Sequence, residues 1–300
     1  MSDPFHDLEE IVTGDVTRAL AEDIGTLDLT AALIPEKNAA IAGVVTREDG
    51  VLCGTAWFER CFTELDPDCE IFWHAADGDR IAAGQQLCEI EGAARTLLTA
   101  ERSALNFLQM LSSVATRTRQ YVDAVAHTHA KILDTRKTLP GLRMAQKYAV
   151  RAGGGQNHRI GLFDGILIKE NHIAAAGSIR AALDAAFHLV QHQAPANTMI
   201  EVEVETLEQL DEAIAAGAPL ILLDNFDVAD MRRAVERAAG RVQLEASGGV
   251  SLDTVRAIAE TGVDRISIGA LTKDVKALDL SMRFRNHAWG GSLTGPAHKE

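Results

Sequence analysis

The apolar positions of this 300-residue chain change their period part-way along. From about Ala39 to Glu91 they fall in short β-like runs, Ala40–Thr46, Glu70–Trp73 and Gln86–Ile90. Gly- and Asp-rich turns separate these runs, notably Asp77-Gly78-Asp79 and Ala83-Gly84, which predicts a small sheet domain. A helical pattern begins near Leu97. Ala104, Leu108, Leu111 and Ala115 recur at spacings of three and four and give one apolar face, while Arg102, Asn106, Gln109 and Ser113 fall on another. This helix is expected to link two domains.

After Ala130 the pattern becomes strand-then-helix. Six apolar runs follow: Lys131–Leu133, Ile166–Ile168, Met199–Val204, Leu220–Leu223, Val242–Leu244 and Arg265–Ile268. Helical stretches lie between most of them, at Ser178–His192, Leu207–Ala216 and Ala229–Ala239. Such alternation predicts parallel strands with crossover helices. Six units of similar length favour a β/α barrel, complete or incomplete, over an open sheet. Nearly every strand also ends in a polar residue or glycine: Asp134 to Lys137, Lys169, Glu203 or Glu205, Asp224, Ser247 to Gly249, and Gly269. Barrels build their sites from the carboxyl ends of many strands. An open doubly wound sheet uses one switch point, usually after Gly-x-Gly-x-x-Gly, and Gly153-Gly154-Gly155 lacks that spacing. The predicted fold class is therefore α/β. A smaller domain with its linking helix spans residues 1–115, a barrel spans 116–285, and a frayed tail spans 286–300.

Composition narrows the function. Forty-seven per cent of residues are hydrophobic and 24% charged, as in ordinary soluble proteins. A net charge of -14 argues against a nucleic-acid or anionic-membrane surface, but not against a local basic site. Met1–Glu10 has neither a basic n-region nor an apolar h-region, and no apolar run approaches the roughly 20 residues of a membrane span. The expected compartment is the cytosol. Cys53, Cys61, Cys69 and Cys88 form no Cys-x-x-Cys pair and are expected to be free thiols.

Against that acidic background, Arg136, Lys137, His158, Arg159 and Lys169 crowd into one stretch, at the ends of apolar runs or beside glycines. Arg offers a planar fork for carboxylate or phosphate and Lys a point charge, so this set suits a small, multiply charged anion. Structural ion pairs with the abundant Asp and Glu are the alternative. Glu201, Glu203 and Glu205 alternate along one strand and are expected on one face, with Asp224 ending the next strand. Inside a barrel such carboxylates need a cation, Mg²⁺ or substrate hydroxyls, or else serve internal salt bridges. Ser247-Gly248-Gly249 and Gly269 suit a phosphate held by backbone N–H groups, or simply tight turns. His188 and His192 lack the glutamate of a metalloprotease helix and read as a solvated face; His127-Thr128-His129 reads as a loop. A Schiff-base role for Lys169 is disfavoured by the neighbouring cations.

Glu101-Arg-Ser-Ala-Leu-Asn106, Asp134-Thr-Arg-Lys-Thr138 with Pro140-Gly-Leu-Arg143, Asn157–Leu162, Leu167–His172, Glu201–Glu205, Leu222–Phe226, Leu244–Gly249 and Ile268–Lys273 together resemble quinolinate phosphoribosyltransferase. They run in the family's order from about residue 25 to about 285, with Leu139 where many relatives carry Thr. The resemblance implies an N-terminal α+β sandwich domain, an α/β barrel and a homodimer in which Arg102 enters the neighbouring subunit's barrel. It implies that Arg102, Arg136, His158, Arg159 and Lys169 bind quinolinate. Lys137, Glu203, Asp224, Ser247, Gly248, Gly249 and Gly269 would hold phosphoribosyl pyrophosphate, with Mg²⁺ met by Glu203 and Asp224 directly or indirectly. Lys137, Lys169, Glu203 and Asp224 are the implied catalytic set. The implied product is nicotinate mononucleotide, a precursor of NAD, formed with loss of pyrophosphate and CO₂. A non-decarboxylating paralogue and a non-catalytic anion-binding barrel are the rival expectations.

Overall fold

The computed structural model describes residues 3–36, 38–195 and 198–285. The tail expected at 286–300 lies outside the described residues. The first part of the chain contains α1 (Leu8–Ile24), β1 (Ala39–Thr46), β2 (Gly50–Val51), α2 (Thr55–Thr63), β3 (Glu70–Trp73), β4 (Arg80–Ile81), β5 (Gln86–Ala93) and α3 (Ala94–Val125). The second contains β6 (Lys131–Leu133), α4 (Arg143–Ala152), β7 (Gly165–Ile168), α5 (Glu170–Ala176), α6 (Ile179–His192), β8 (Met199–Val204), α7 (Leu207–Ala215), β9 (Leu220–Asp224), α8 (Val228–Ala238), β10 (Gln243–Ser247), α9 (Val255–Ala259), β11 (Arg265–Ser267), α10 (Ala270–Lys273) and β12 (Leu280–Phe284).

β3, β5, β1 and β12 form an antiparallel sheet in that order. α3 packs against it, and α2 and α1 pack against α3. Burial of Trp57, Phe58, Phe62, Leu87, Ile90, Leu97 and Leu108 away from water holds these layers together. The expected apolar face of the linking helix is the buried one: Ala104, Leu108, Leu111 and Ala115 are all inside. At 32 residues this helix runs about 48 Å, long enough to pack on the sheet at one end and on α4 at the other. All four cysteines are buried and free, and burial pushes their thiols up.

The last strand departs from the expected layout. Residues 280–284 were assigned to the barrel, but β12 lies on the outer edge of β1, pairing Val44 with Met282 and Ala42 with Phe284. β1 would otherwise present an open hydrogen-bonding edge, and a returning strand covers it. The chain is guided back along α3, where Gln109 Nε2 donates to the Leu278 carbonyl at 2.8 Å.

The expected strand–helix alternation folds into six parallel strands in the order β6-β11-β10-β9-β8-β7. The N-caps of the outer helices are local. Ser178, Thr206 and Asp227 accept from backbone N–H groups at the starts of α6, α7 and α8. Between β6 and β7 the sheet does not close. The gap is bordered by the segment after α4, which makes one parallel bridge, Leu133 to Gln156. Gly153 and Gly155 let it pass close to α3; a Cβ at Gly153 would stand 2.5 Å from the Ala115 carbonyl. The barrel is thus incomplete, with a seam closed mainly by side chains.

Candidate active site

The seam is organised around Asp134, just after β6, and Lys147 on α4. Both are fully buried and form an ion pair. Lys147 Nζ also donates to the His158 carbonyl at 2.9 Å. Asp134 accepts from Asn157 Nδ2 at 2.6 Å and from the His158 N–H at 2.9 Å. Burial pushes the Asp134 carboxyl up and the Lys147 ammonium down, so each ion depends on the other and on these bonds. Arg143 adds a second clamp. Its guanidinium donates to Thr138 Oγ1 at 3.1 Å and to the Ile160 carbonyl at 3.0 Å, tying the loop after β6 to the seam loop.

This clamp fixes the cations. Arg159 donates to the Gly165 carbonyl at 2.8 Å. Burial and then the nearby Arg136 guanidinium push its pKa below the usual arginine value. Arg136 is half-buried, and its buried Nε has no hydrogen-bond partner among the described residues. Two guanidiniums held close enough to repel, one with a buried donor not used within the described residues, suit an anion. Lys169 caps α5 at the end of β7, where its N–H donates to His172 Nδ1 at 3.0 Å. Its ammonium pairs with Glu203 of β8. Lys137 is exposed, and its stem lies over Gly269, where Cδ would sit 3.0 Å from a Cβ.

The expected phosphate-type strand ends also come together. Asp224 ends β9 half-buried, beside Asn225 Nδ2 at 3.0 Å. Asn225 is left-handed, with φ of 56°, and its N–H donates to the Ser247 carbonyl at 3.2 Å. Gly248 has φ of 96°, and a Cβ there would overlap Asn225 Oδ1 and stand 3.2 Å from its backbone nitrogen. Glycine is therefore required at Gly248 by both conformation and space. Gly249 is likewise left-handed, and Gly269 precedes the short α10.

Two expectations change. Glu205 lies beyond the end of β8 and is exposed, so it does not join Glu201 and Glu203 on an inner face. Glu201 is inside but fully buried, below the mouth. His158 is buried with both ring nitrogens engaged: Nδ1 accepts the Arg159 N–H at 2.8 Å, and Nε2 lies 2.8 Å from Glu201 Oε2. Arg102 is exposed on α3. It lines a cleft of about 420 Å³ with Asp15, Arg18 and the Leu139–Leu142 turn. His188 and His192 are exposed on α6 with their rings 4.5 Å apart, as expected of a solvated face. Asp134's partner Lys147, the clamp Arg143, and Glu245 with Arg265 were not singled out from sequence. A lysine or glutamate in an otherwise apolar period was the available signal, but it does not say which ion answers it.

Residues 27–112 match the family model described as quinolinate phosphoribosyl transferase, N-terminal domain, and residues 114–283 match its C-terminal domain. The chain belongs to this family. Among curated relatives, it is 47% identical over 265 residues to the probable nicotinate-nucleotide pyrophosphorylase [carboxylating] of Bacillus subtilis, covering 87% of this chain and 89% of that one. It is 47% identical over 277 residues to the nicotinate-nucleotide pyrophosphorylase [carboxylating] of Mycobacterium leprae, covering 89% and 95%. The solved nicotinate-nucleotide pyrophosphorylase of Francisella tularensis superposes with a TM-score of 0.88 at 47% identity, over 92% of this chain and 96% of that one. The family's two-domain fold is therefore the one described above. Among the described residues, no single helix is long and apolar enough to cross a membrane.

Proposed function

We propose that this chain transfers the phosphoribosyl group of phosphoribosyl pyrophosphate to quinolinate with decarboxylation, giving nicotinate mononucleotide, pyrophosphate and CO₂. Its place is NAD biosynthesis, and the expected compartment is the cytosol. The observation that carries the site assignment is the Arg136–Arg159 pair: Arg136 lies near enough to push the Arg159 pKa down, and among the described residues its buried Nε has no hydrogen-bond partner. Quinolinate, a planar dicarboxylate, suits those forks. Lys169 completes the grip by exchanging its Glu203 partner for a substrate carboxylate. The Lys169–Glu203 pair neutralises itself, and substrate entry frees Glu203 to face the ribose.

Phosphoribosyl pyrophosphate lies along the ends of β9, β10 and β11. Ser247, Gly248, Gly249 and Gly269 offer backbone N–H groups to phosphate oxygens, and Lys137 closes over them. Bond formation runs from the quinolinate nitrogen lone pair to ribose C1, while the C1–O bond to pyrophosphate breaks. Glu203 and Asp224 hold ribose hydroxyls and favour the positive charge that develops at C1. The alkylated ring nitrogen is cationic. It accepts the electron pair of the adjacent C–CO₂ bond, CO₂ leaves, and the ring carbon takes a proton from water. No general base is needed in this sequence; the cations act by orienting two anions and cancelling their repulsion.

Half-buried Asp224, whose one side-chain partner among the described residues is a neighbouring amide, and Glu203 are hard oxygen donors of the kind Mg²⁺ takes. Mg²⁺ held there, directly or through water, would neutralise charge on departing pyrophosphate. Arg102, exposed on α3, is assigned to the quinolinate site of a neighbouring copy in a homodimer. Incubation with quinolinate, phosphoribosyl pyrophosphate and Mg²⁺ tests the activity, with CO₂ and nicotinate mononucleotide as readouts. Absence of both overturns it, and nucleotide formed without CO₂ identifies the non-decarboxylating alternative.

A further inference from the structure

The interior beneath the mouth is polar where barrels usually stack aliphatic side chains. Glu201 of β8 and Glu245 of β10 point into it, both fully buried. His158 enters from the seam, its Nε2 lying 2.8 Å from Glu201 Oε2 and 3.6 Å from Glu245 Oε1. Arg265 of β11 brings Nε to 2.9 Å from Glu245 Oε2. Among the described residues, Glu201 Oε1 has no hydrogen-bond partner.

One His and two carboxylates this close have the donor types of a metal site. The hydrogen bonds exclude that use. Nδ1 already accepts the Arg159 N–H, so in the neutral ring Nε2 carries the proton and has no lone pair for a metal. Nε2 is instead a donor, and Glu201 is its acceptor. The order of connection then runs outward: Glu201 fixes the ring, and ring Nδ1 fixes the Arg159 peptide. That peptide bond and the bond from Arg159 to the Gly165 carbonyl aim its guanidinium.

We infer that Glu201, backed by Glu245 and Arg265, is a positioning residue for the quinolinate grip, acting through His158 on Arg159. The inference rests on the proposed assignment of Arg159 to quinolinate. It also accounts for an interior carboxylate that touches neither substrate. Among the described residues, the side chains assigned to phosphoribosyl pyrophosphate, Lys137, Glu203 and Asp224, make no hydrogen bond to Glu201, His158 or Arg159, although Glu203 shares β8 with Glu201.

The test is steady-state kinetics with both substrates varied, on wild type, Glu201→Gln, Glu201→Asp and Glu201→Ala, with melting temperatures recorded. Gln keeps an acceptor at the length of Glu, whereas Asp keeps the charge but withdraws it by one methylene. Glu201→Ala is expected to raise KM for quinolinate about tenfold or more, the scale of a lost hydrogen bond to a buried charged acceptor. KM for phosphoribosyl pyrophosphate should stay within about twofold in the same variant. If Glu201→Ala does not fold, the ordering of the other two decides: Asp should raise the quinolinate KM more than Gln does. An equal rise in both KM values, an unchanged quinolinate KM in folded Glu201→Ala, or a larger effect of Gln than of Asp overturns the inference. The activity assignment fails separately, through wild-type protein that does not turn quinolinate over.

Discussion

Replacing Lys147 by Met should reveal how much of the seam rests on one buried ion pair. Met fills most of the lysine stem's volume, so the perturbation is chiefly electrostatic. It removes the ammonium from fully buried Asp134 and one donor from the His158 carbonyl. Breaking a buried pair by removing one partner costs about 3–5 kcal/mol. The orphaned carboxylate keeps Asn157 Nδ2 and the His158 N–H, which favours the lower end of that range. It can also escape by taking a proton, at a cost of about 1.4 kcal/mol per pH unit above an ordinary Asp pKa of about 3.9, or about 4 kcal/mol at pH 7. The penalty is therefore capped near that value and should shrink as pH falls. With a strongly raised folded pKa, the carboxyl contributes stability that is present below its unfolded pKa and lost as pH rises. Urea unfolding of wild type and Lys147→Met at pH 7.5 and pH 5.5 should show a loss of about 3–4 kcal/mol at the higher pH, and roughly 1–2 kcal/mol less at the lower. A loss under about 1 kcal/mol at pH 7.5, or one that does not narrow at pH 5.5, would refute the reasoning.

Other tests address the mouth and the interior. Gly248→Ala meets a left-handed φ of 96° and the backbone of Asn225, so kcat/KM for phosphoribosyl pyrophosphate should fall more than about tenfold, with a stability loss of about 1–3 kcal/mol; near-wild-type kinetics would count against the phosphate assignment. Arg102→Ala and Arg159→Ala should each be inactive alone, and verified heterodimers of the two should recover some turnover; no recovery counts against a shared site. Burial holds Glu201 and Glu245 at about 7, above the ordinary 4.5, with His158, Arg265 and Ser267 facing them. Stability from these raised pKa values is present below pH 4.5 and lost as pH rises through 7. Glu245→Gln, neutral throughout, should therefore gain on wild type by up to about 3 kcal/mol between pH 5 and pH 8 in thermal or urea melts, and a flat difference would contradict a shifted carboxyl pair.

The barrel strands were readable in the sequence because each is a short apolar run bounded by turn residues, a pattern set locally. The same holds for α3, α6, α7 and α8. α1 carried a signal too, Val12, Val16 and Leu20 at spacings of four, within an acidic segment. α4 did not, since its buried face includes Gln146 and Lys147, polar side chains that hide the period. Candidate cations were visible because an acidic chain concentrated them at strand ends. The mouth brings together Lys169 with Glu203, Lys137 with Gly269, and Arg136 with Arg159, groups that the order of motifs had already named.

By itself, then, the sequence determined the period of each element, the residue types at the strand ends and the family. Only the tertiary structure decided which ion meets which. It left the barrel open between β6 and β7, sent β12 back to the edge of β1, and sealed the seam with Asp134 and Lys147. It also used both nitrogens of His158 on protein groups and sank Glu201 below the mouth. The physical reason is range. Backbone periodicity is written over a few neighbouring residues, whereas pairing a buried charge depends on groups tens of residues apart that meet only once the core has excluded water.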